Sequence, residues 1–451
     1  MNIKINKLIF VIAIFSIHLI PFAKSVSIET LPILLILFCF YIYLSTDLNV
    51  FNYIKNNELI FLLILYLVLF YATHFFGGYN NYIQLSKYLV GPVVFLFFTR
   101  IKKFFGIDEL IFFGFFIIIL FFIFQTRVPL IFNLSCNILE FFIARLECTT
   151  TGIANLKRSF LITPEPSYLS LLLSYYLIVL YYFKQKIINN NNKKKIISLL
   201  EISMLLIIFS TLSRIGVFFS IIYSLFYIIK LRKKIIENLF TFFVIFFFIT
   251  LFLSYNQFSL FSGSFSKFGD EIYLLESRQF LNIDRIVEHY AIDNAGPAKS
   301  LLAIINNFEP TGFIRILHNY LSVVGSIKNN FIGNGLGSYA DVWYQYVIDK
   351  DMVHLVRGNE VMMEWYPDIL SKKQYVQNYM FSMLHDGGLI PIILIFTIMI
   401  QSVKKMIKNK NYFGLVILGY LSVSFFFQSS ISSPYPWLAL AMLYYDDEKY
   451  A

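Results

Sequence analysis

Charge is what this chain has least of. Charged residues fill 14% of its 451 positions, against roughly 25% in a soluble domain, which excludes a protein that covers itself with a water-facing surface. Cysteine is scarce: Cys39, Cys136 and Cys148 are the whole complement, with no metal-ligand spacing among them. Cys136 and Cys148 fall in one loop, where two free thiols are expected and a disulfide is the alternative. No internal repeat is visible. The glycine run at 333–337 lacks the Lys-Ser/Thr of a phosphate-binding loop and follows no strand of a βαβ unit, which argues against a nucleotide site. No Asp-x-Asp pair falls in an external position, since Asp446-Asp447 lies in the tail. No Ser-His-Asp or Cys-His set would meet on one side of a membrane. The expectation is therefore chemistry without a metal, and no cofactor.

What the chain does have is apolar surface. Hydrophobic residues make up 58% and aromatics 19%, and the mean hydropathy is +0.68. A membrane span needs about 20 mostly apolar residues. Candidate spans are 8–23, 31–44, 59–76, 82–98, 110–125, 168–183, 196–212, 215–229, 239–253, 379–401, 412–427 and 436–445. The short ones borrow flanking Tyr or Ser at the interface. The first resembles a signal peptide but has no small-x-small cleavage site, so it is read as a helix.

The expected fold is an all-α integral membrane protein of about twelve transmembrane helices with one large external loop. Residues 1–255 would hold nine spans, 256–378 the loop and 379–451 the C-terminal spans. The charges follow this plan. Lys4/Lys7, Arg100/Lys102/Lys103, Lys184–Lys195, Lys230–Lys234 and Lys404–Lys410 all fall on one side if the N-terminus is cytoplasmic. The 256–378 block holds 10 basic against 13 acidic residues. The net charge of +10 is thus a topology signal, and nucleic acid is not an expected partner. Within the block, 283–290 and 313–327 carry apolar residues at helical spacing, with Ile314, Leu317, Leu321 and Val324 on one face. Such helices are expected to lie flat on the outer leaflet or to cap the bundle.

Several residues stand where chemistry would need them. Arg214 lies in a tight external hairpin between two spans. It either snorkels to headgroups or is held near bundle depth, where it suits an anionic lipid pyrophosphate. Arg158 closes the external loop 126–160. Glu165, at the start of a span between Pro164 and Pro166, either serves the helix dipole or acts as partner to the nearby arginines or as a general base. Arg315 lies on the polar side of the 313–327 helix. His385 falls in the first turns of a span, where a protonatable imidazole is a functional candidate. Gly333, Gly335 and Gly337 form either a turn or a close backbone approach to a sugar or phosphate.

Taken together these segments resemble the O-antigen polymerase and O-antigen ligase family of polytopic glycosyltransferases. The residues carrying the resemblance are Arg158–Ser167, Thr211–Gly216, Ile332–Tyr339, and Gln377-Asn378-Tyr379 running into Leu384-His385-Asp386-Gly387-Gly388-Leu389, in that order. Gln377 stands where ligases usually have His before Asn, which leans towards polymerase. The resemblance implies a GT-C-like helical architecture in a bacterial cytoplasmic membrane. It implies transfer of a growing glycan from undecaprenyl pyrophosphate to a lipid-linked repeat unit on the outer face. The partners would be that lipid-linked oligosaccharide, the bilayer and a chain-length regulator. Arg158, Arg214 and Arg315 would hold the departing pyrophosphate, with Asn378 and the glycines as further substrate contacts. Glu165 or His385 would take the acceptor proton. The rival expectations are a ligase joining finished glycan to lipid or protein, and a flippase moving lipid-linked oligosaccharide.

Overall fold

Long apolar runs cut by Gly, Pro and short basic loops fold as helices, and no strand occurs among the described residues. The structure is a computed structural model. It describes residues 3–17, 82–126, 129–143, 163, 166–185, 187, 190–211, 216, 219–224, 302, 306, 310–359, 376, 378–427 and 433–445. The helices are α1 (Ile3–Phe15), α2 (Tyr82–Ile101), α3 (Ile107–Thr126), α4 (Pro129–Phe142), α5 (Pro166–Gln185), α6 (Asn191–Ser210), α7 (Pro310–Lys328), α8 (Tyr339–Asp349), α9 (Val353–Arg357), α10 (Tyr379–Gly387), α11 (Leu389–Lys408), α12 (Tyr412–Phe427) and α13 (Tyr435–Tyr444). The expected spans at 31–44, 59–76 and 239–253, most of that at 215–229, and the helix at 283–290 lie outside the described residues. So do Arg158, Glu165, Arg214, Cys39 and Cys148.

Among the described residues one helix, Leu389–Lys408, is long and apolar enough to cross a membrane, with hydropathy 1.8 over its best stretch. Asn6–Phe15 and Tyr412–Phe425 are apolar but shorter. Apolar residues face outward on several helices: Phe112 and Ile119 on α3, Leu134 and Ile138 on α4, and Ile393 and Ile400 on α11 are all exposed.

Two apolar cores form. The larger gathers α1, α2, α3, α5, α6 and α10 to α13, with Tyr88, Tyr176, Tyr379 and Trp437 fully buried in it. Close approach depends on small residues, as in helix packing generally within apolar surroundings. A Cβ built on Gly91 of α2 would stand 2.0 Å from the Trp437 indole of α13. A buried charge is present as well: Glu201 on α6 meets Lys184 Nζ at 2.5 Å and Tyr223 Oη at 3.2 Å. A carboxylate out of water needs such partners.

The smaller core belongs to the polar block, with Phe313, Leu317 and Leu321 of α7, Trp343 and Val347 of α8, and Leu355 and Val356 of α9. Here the structure adds to one expectation and corrects two. The helix at 313–327, expected to lie flat on the outer leaflet or to cap the bundle, is packed on both sides: its apolar side fills this core, while its polar side is buried too. His318, Asn319, Ser322 and Ser326 are all buried, because α7 is sandwiched between α8 and α10. The span drawn at 379–401 is two helices, parted at Gly388, whose φ of +79° and ψ of −160° favour glycine. Finally, Cys136 is disulfide-bonded rather than free, its partner lying outside the described residues.

Candidate functional site

The site is built on the short helix α10. Asn378 caps its start, the side-chain Oδ1 accepting from the amides of Met380 at 3.0 Å and Phe381 at 3.3 Å. An Asn in this place satisfies amides that have no partner inside the helix. The same residue's Nδ2 is buried and has no hydrogen bond among the described residues. Seven residues on, His385 and Asp386 occupy the last turn.

The glycine run closes over that last turn. Asn334 N–H donates to the His385 carbonyl at 2.8 Å and Gly335 N–H to the Asp386 carbonyl at 3.0 Å. The Asn334 side chain adds a bond to the His385 carbonyl at 3.0 Å. These donors satisfy carbonyls that a helix end leaves without partners. Gly333, Gly335 and Gly337 all have positive φ, at 107°, 90° and 74°. A Cβ on Gly333 would fall 2.7 Å from the Asp386 carbonyl oxygen. Three amides of the run are thus engaged inside the protein, and its glycines permit backbone to lie on backbone.

Asp386 is the anchor of the site. It is almost wholly buried, and its carboxylate collects three donors: Gly337 N–H at 2.9 Å, Tyr88 Oη of α2 at 3.1 Å and His385 Nδ1 at 2.9 Å. Tyr88 also bonds Ser382. A carboxylate only accepts when ionised, so this network places the imidazole proton on Nδ1. His385 Nε2 is then the acceptor, and Tyr346 Oη of α8 lies 3.2 Å from it. Ser338 Oγ approaches Nδ1 at 3.5 Å. The imidazole has no solvent-exposed surface and meets the ring of Tyr339 edge-on, with centroids 5.2 Å apart.

A second histidine stands one layer away. His318 of α7 shares a 2.7 Å hydrogen bond with Tyr339 Oη and meets Trp343 edge-on. Burial pushes its imidazole down to about 4, and the same burial raises the Tyr339 phenol.

The structure therefore brings together His385, the glycine run and, across 298 residues of chain, Tyr88. Arg315 is not brought to His385. It is half-buried and precedes by ten residues Gly325, the part of α7 that backs the imidazole; that is about 15 Å of helix. Asn378 sits at the opposite end of α10. Sequence reasoning missed Asp386, Tyr88, Ser338 and Tyr346 as site residues. One signal was available: Tyr339 and Tyr346 are seven residues apart, hence on one face of α8. Among the described residues no three His, Cys, Asp or Glu side chains gather as metal ligands would. Compared with known proteins, the chain matches no family model and no curated protein.

Proposed function

We propose that this chain is a polytopic glycan polymerase of the cytoplasmic membrane, related to the O-antigen polymerases. It moves a growing glycan from undecaprenyl pyrophosphate to the hydroxyl of a lipid-linked repeat unit at the outer face. One observation carries the reading: the segments 332–339 and 384–389, read in sequence as the last two of an ordered set, meet as one buried polar centre. That centre lies where the small core of the polar block joins the larger helical core. A twelve-span topology with the N-terminus inside belongs to the same proposal. Outward apolar faces on α3 and α11 support it. The disulfide at Cys136 supports an oxidising outer side for the 126–160 loop.

In this reaction the anomeric carbon loses its bond to the phosphate oxygen and gains one to the acceptor oxygen. Negative charge grows on the departing pyrophosphate, and fixed cations there lower the barrier. Arg158, Arg214 and Arg315 fill that role. The acceptor proton must leave as its oxygen attacks. Glu165 and His385 are the two candidate bases. For His385 the accepting position is Nε2, beside the Tyr346 hydroxyl, because Asp386 holds Nδ1.

The test is deletion of the gene followed by sizing of the surface glycan, with the purified protein then supplied with lipid-linked repeat units in proteoliposomes. Single repeats on the surface and chain growth by the purified protein are expected. Long lipid-linked chains that never reach their final acceptor would instead identify a ligase. Repeat units trapped on the inner face would identify a flippase.

A further inference from the structure

We propose that the Tyr346 hydroxyl is the port through which the buried His385–Asp386 pair takes the proton of the acceptor hydroxyl. The proposal rests on the polymerase reading above and names a further proton-transferring residue for it.

Access to the imidazole is restricted. His385 has 0% of its surface open, whereas Tyr346 keeps 8%. The imidazole's Nδ1 is held by Asp386 at 2.9 Å, with Ser338 Oγ beyond at 3.5 Å. Its Nε2 faces the Tyr346 hydroxyl at 3.2 Å. Among the described residues no other group bonds Nε2. A sugar hydroxyl cannot reach a ring with no open surface, so a proton bound for Nε2 crosses Tyr346 Oη.

Three features of the surroundings suit this route. Gly325, in the middle of α7, leaves room for the contact: a Cβ there would stand 2.7 Å from Tyr346 Oη and 2.8 Å from His385 Nε2. A glycine at a helix interior weakens the helix, yet at this point any side chain would part the two groups. Lys328, ion-paired with Asp349, holds its Nζ 5.2 Å from the centroid of the Tyr346 ring, so a charged pair borders the phenol on its open side of α8. Asp386 is itself fixed by Gly337 N–H and Tyr88, so an imidazolium formed at His385 has an oriented counter-charge.

The acceptor hydroxyl gives its proton to Tyr346 Oη while the phenolic proton moves to His385 Nε2. The acceptor oxygen bonds to the anomeric carbon, and the bond from that carbon to the phosphate oxygen breaks, its electron pair leaving with the pyrophosphate. The imidazolium later returns its proton to water along the same path.

The experiment measures initial rates of chain growth across pH, with the full-length protein in proteoliposomes and a lipid-linked repeat unit as donor and acceptor. Tyr346→Phe removes one oxygen and keeps the ring. It should slow chain growth by about 10²- to 10⁴-fold, the range of general acid–base catalysis, with KM unchanged and the wild-type pH dependence lost. His385→Gln should match it, and the double variant should be no slower than either alone, because the pair acts as a unit. Multiplying losses in the double variant would overturn the relay. So would a wild-type rate and pH profile for Tyr346→Phe beside an inactive His385→Gln, which leaves the polymerase reading standing. A wild-type protein that makes no chains would instead overturn the polymerase reading, and the relay with it. Should Tyr346→Phe fold poorly, a fluorinated tyrosine at 346 keeps the shape with a more acidic phenol. Its pH profile should shift to lower pH, and an unshifted profile overturns the proposal.

Discussion

Replacing Gly388 with alanine tests the joint on which the whole site hangs. Gly388 parts α10 from α11 at φ +79° and ψ −160°, a region that is nearly closed to residues with a Cβ. Holding alanine there costs about 1–3 kcal/mol in backbone strain. The added Cβ would also stand 2.3 Å from the Phe331 carbonyl oxygen and 2.6 Å from the Ile332 carbonyl carbon. Those atoms are backbone and cannot swing aside. Relieving the overlap means lifting the segment after α7 off the end of α10, an overpacking cost of about 1–3 kcal/mol. The same shift lengthens the Leu389 N–H bond to Phe331, now 3.0 Å. Together the loss comes to about 2–6 kcal/mol. The assay is fluorescence-monitored thermal unfolding of the purified protein in detergent. Gly419→Ala on α12 is the matched control. Nothing lies within 4 Å of a Cβ at that position, so alanine there should hold stability or raise it by up to about 1 kcal/mol. A Gly388→Ala protein that melts with the wild type refutes the reasoning, as does equal loss in both variants.

Other outcomes follow from the same geometry. Burial holds the His318 imidazole at about 4 against an ordinary 6.5. The folded value lies below the unfolded one, so the unfolded chain binds more protons between these pH values. The His318 contribution is therefore complete above about pH 6.5 and fades as the pH falls towards 4, a loss of about 3 kcal/mol. Melting curves from pH 7 to 4 should show it, and His318→Gln should flatten that decline; an unchanged decline refutes the assignment. Gly91→Ala places a Cβ 2.0 Å from the Trp437 indole, and should cost about 1–3 kcal/mol or more by forcing α2 from α13, read as a lower melting temperature. Arg315→Ala should slow chain growth in proteoliposomes by about 10- to 100-fold, from the about 1.5–3 kcal/mol of a charge-assisted bond to pyrophosphate. Because its side chain is half-exposed, the melting temperature should hardly move. Arg315→Lys should recover part of the rate, since lysine supplies the charge without the bidentate fork.

Helical class and the positions of most described helices were legible in the sequence, because both follow from near neighbours along the chain. The run expected at 412–427 is α12, Tyr412–Phe427, and that expected at 82–98 is α2, Tyr82–Ile101. The glycine run and the segment holding His385 were also marked in advance, since glycine and a lone imidazole stand out against apolar surroundings. Which groups meet was not legible. Apolar periodicity records which side of a helix avoids water and says nothing of what lies across from it. So α7, read as lying on the outer leaflet or capping the bundle, is buried on two sides: its apolar side meets α8 and its serines meet α10. The span at 379–401 looked continuous because Gly388 is one residue in an apolar run. Only the passage of Phe331 and Ile332 against it demands the break. Asp386 was visible as a letter in the same motif. Its three donors come from Gly337, Tyr88 and His385, and the tertiary fold alone decides that they converge on one carboxylate and seal the imidazole beside it.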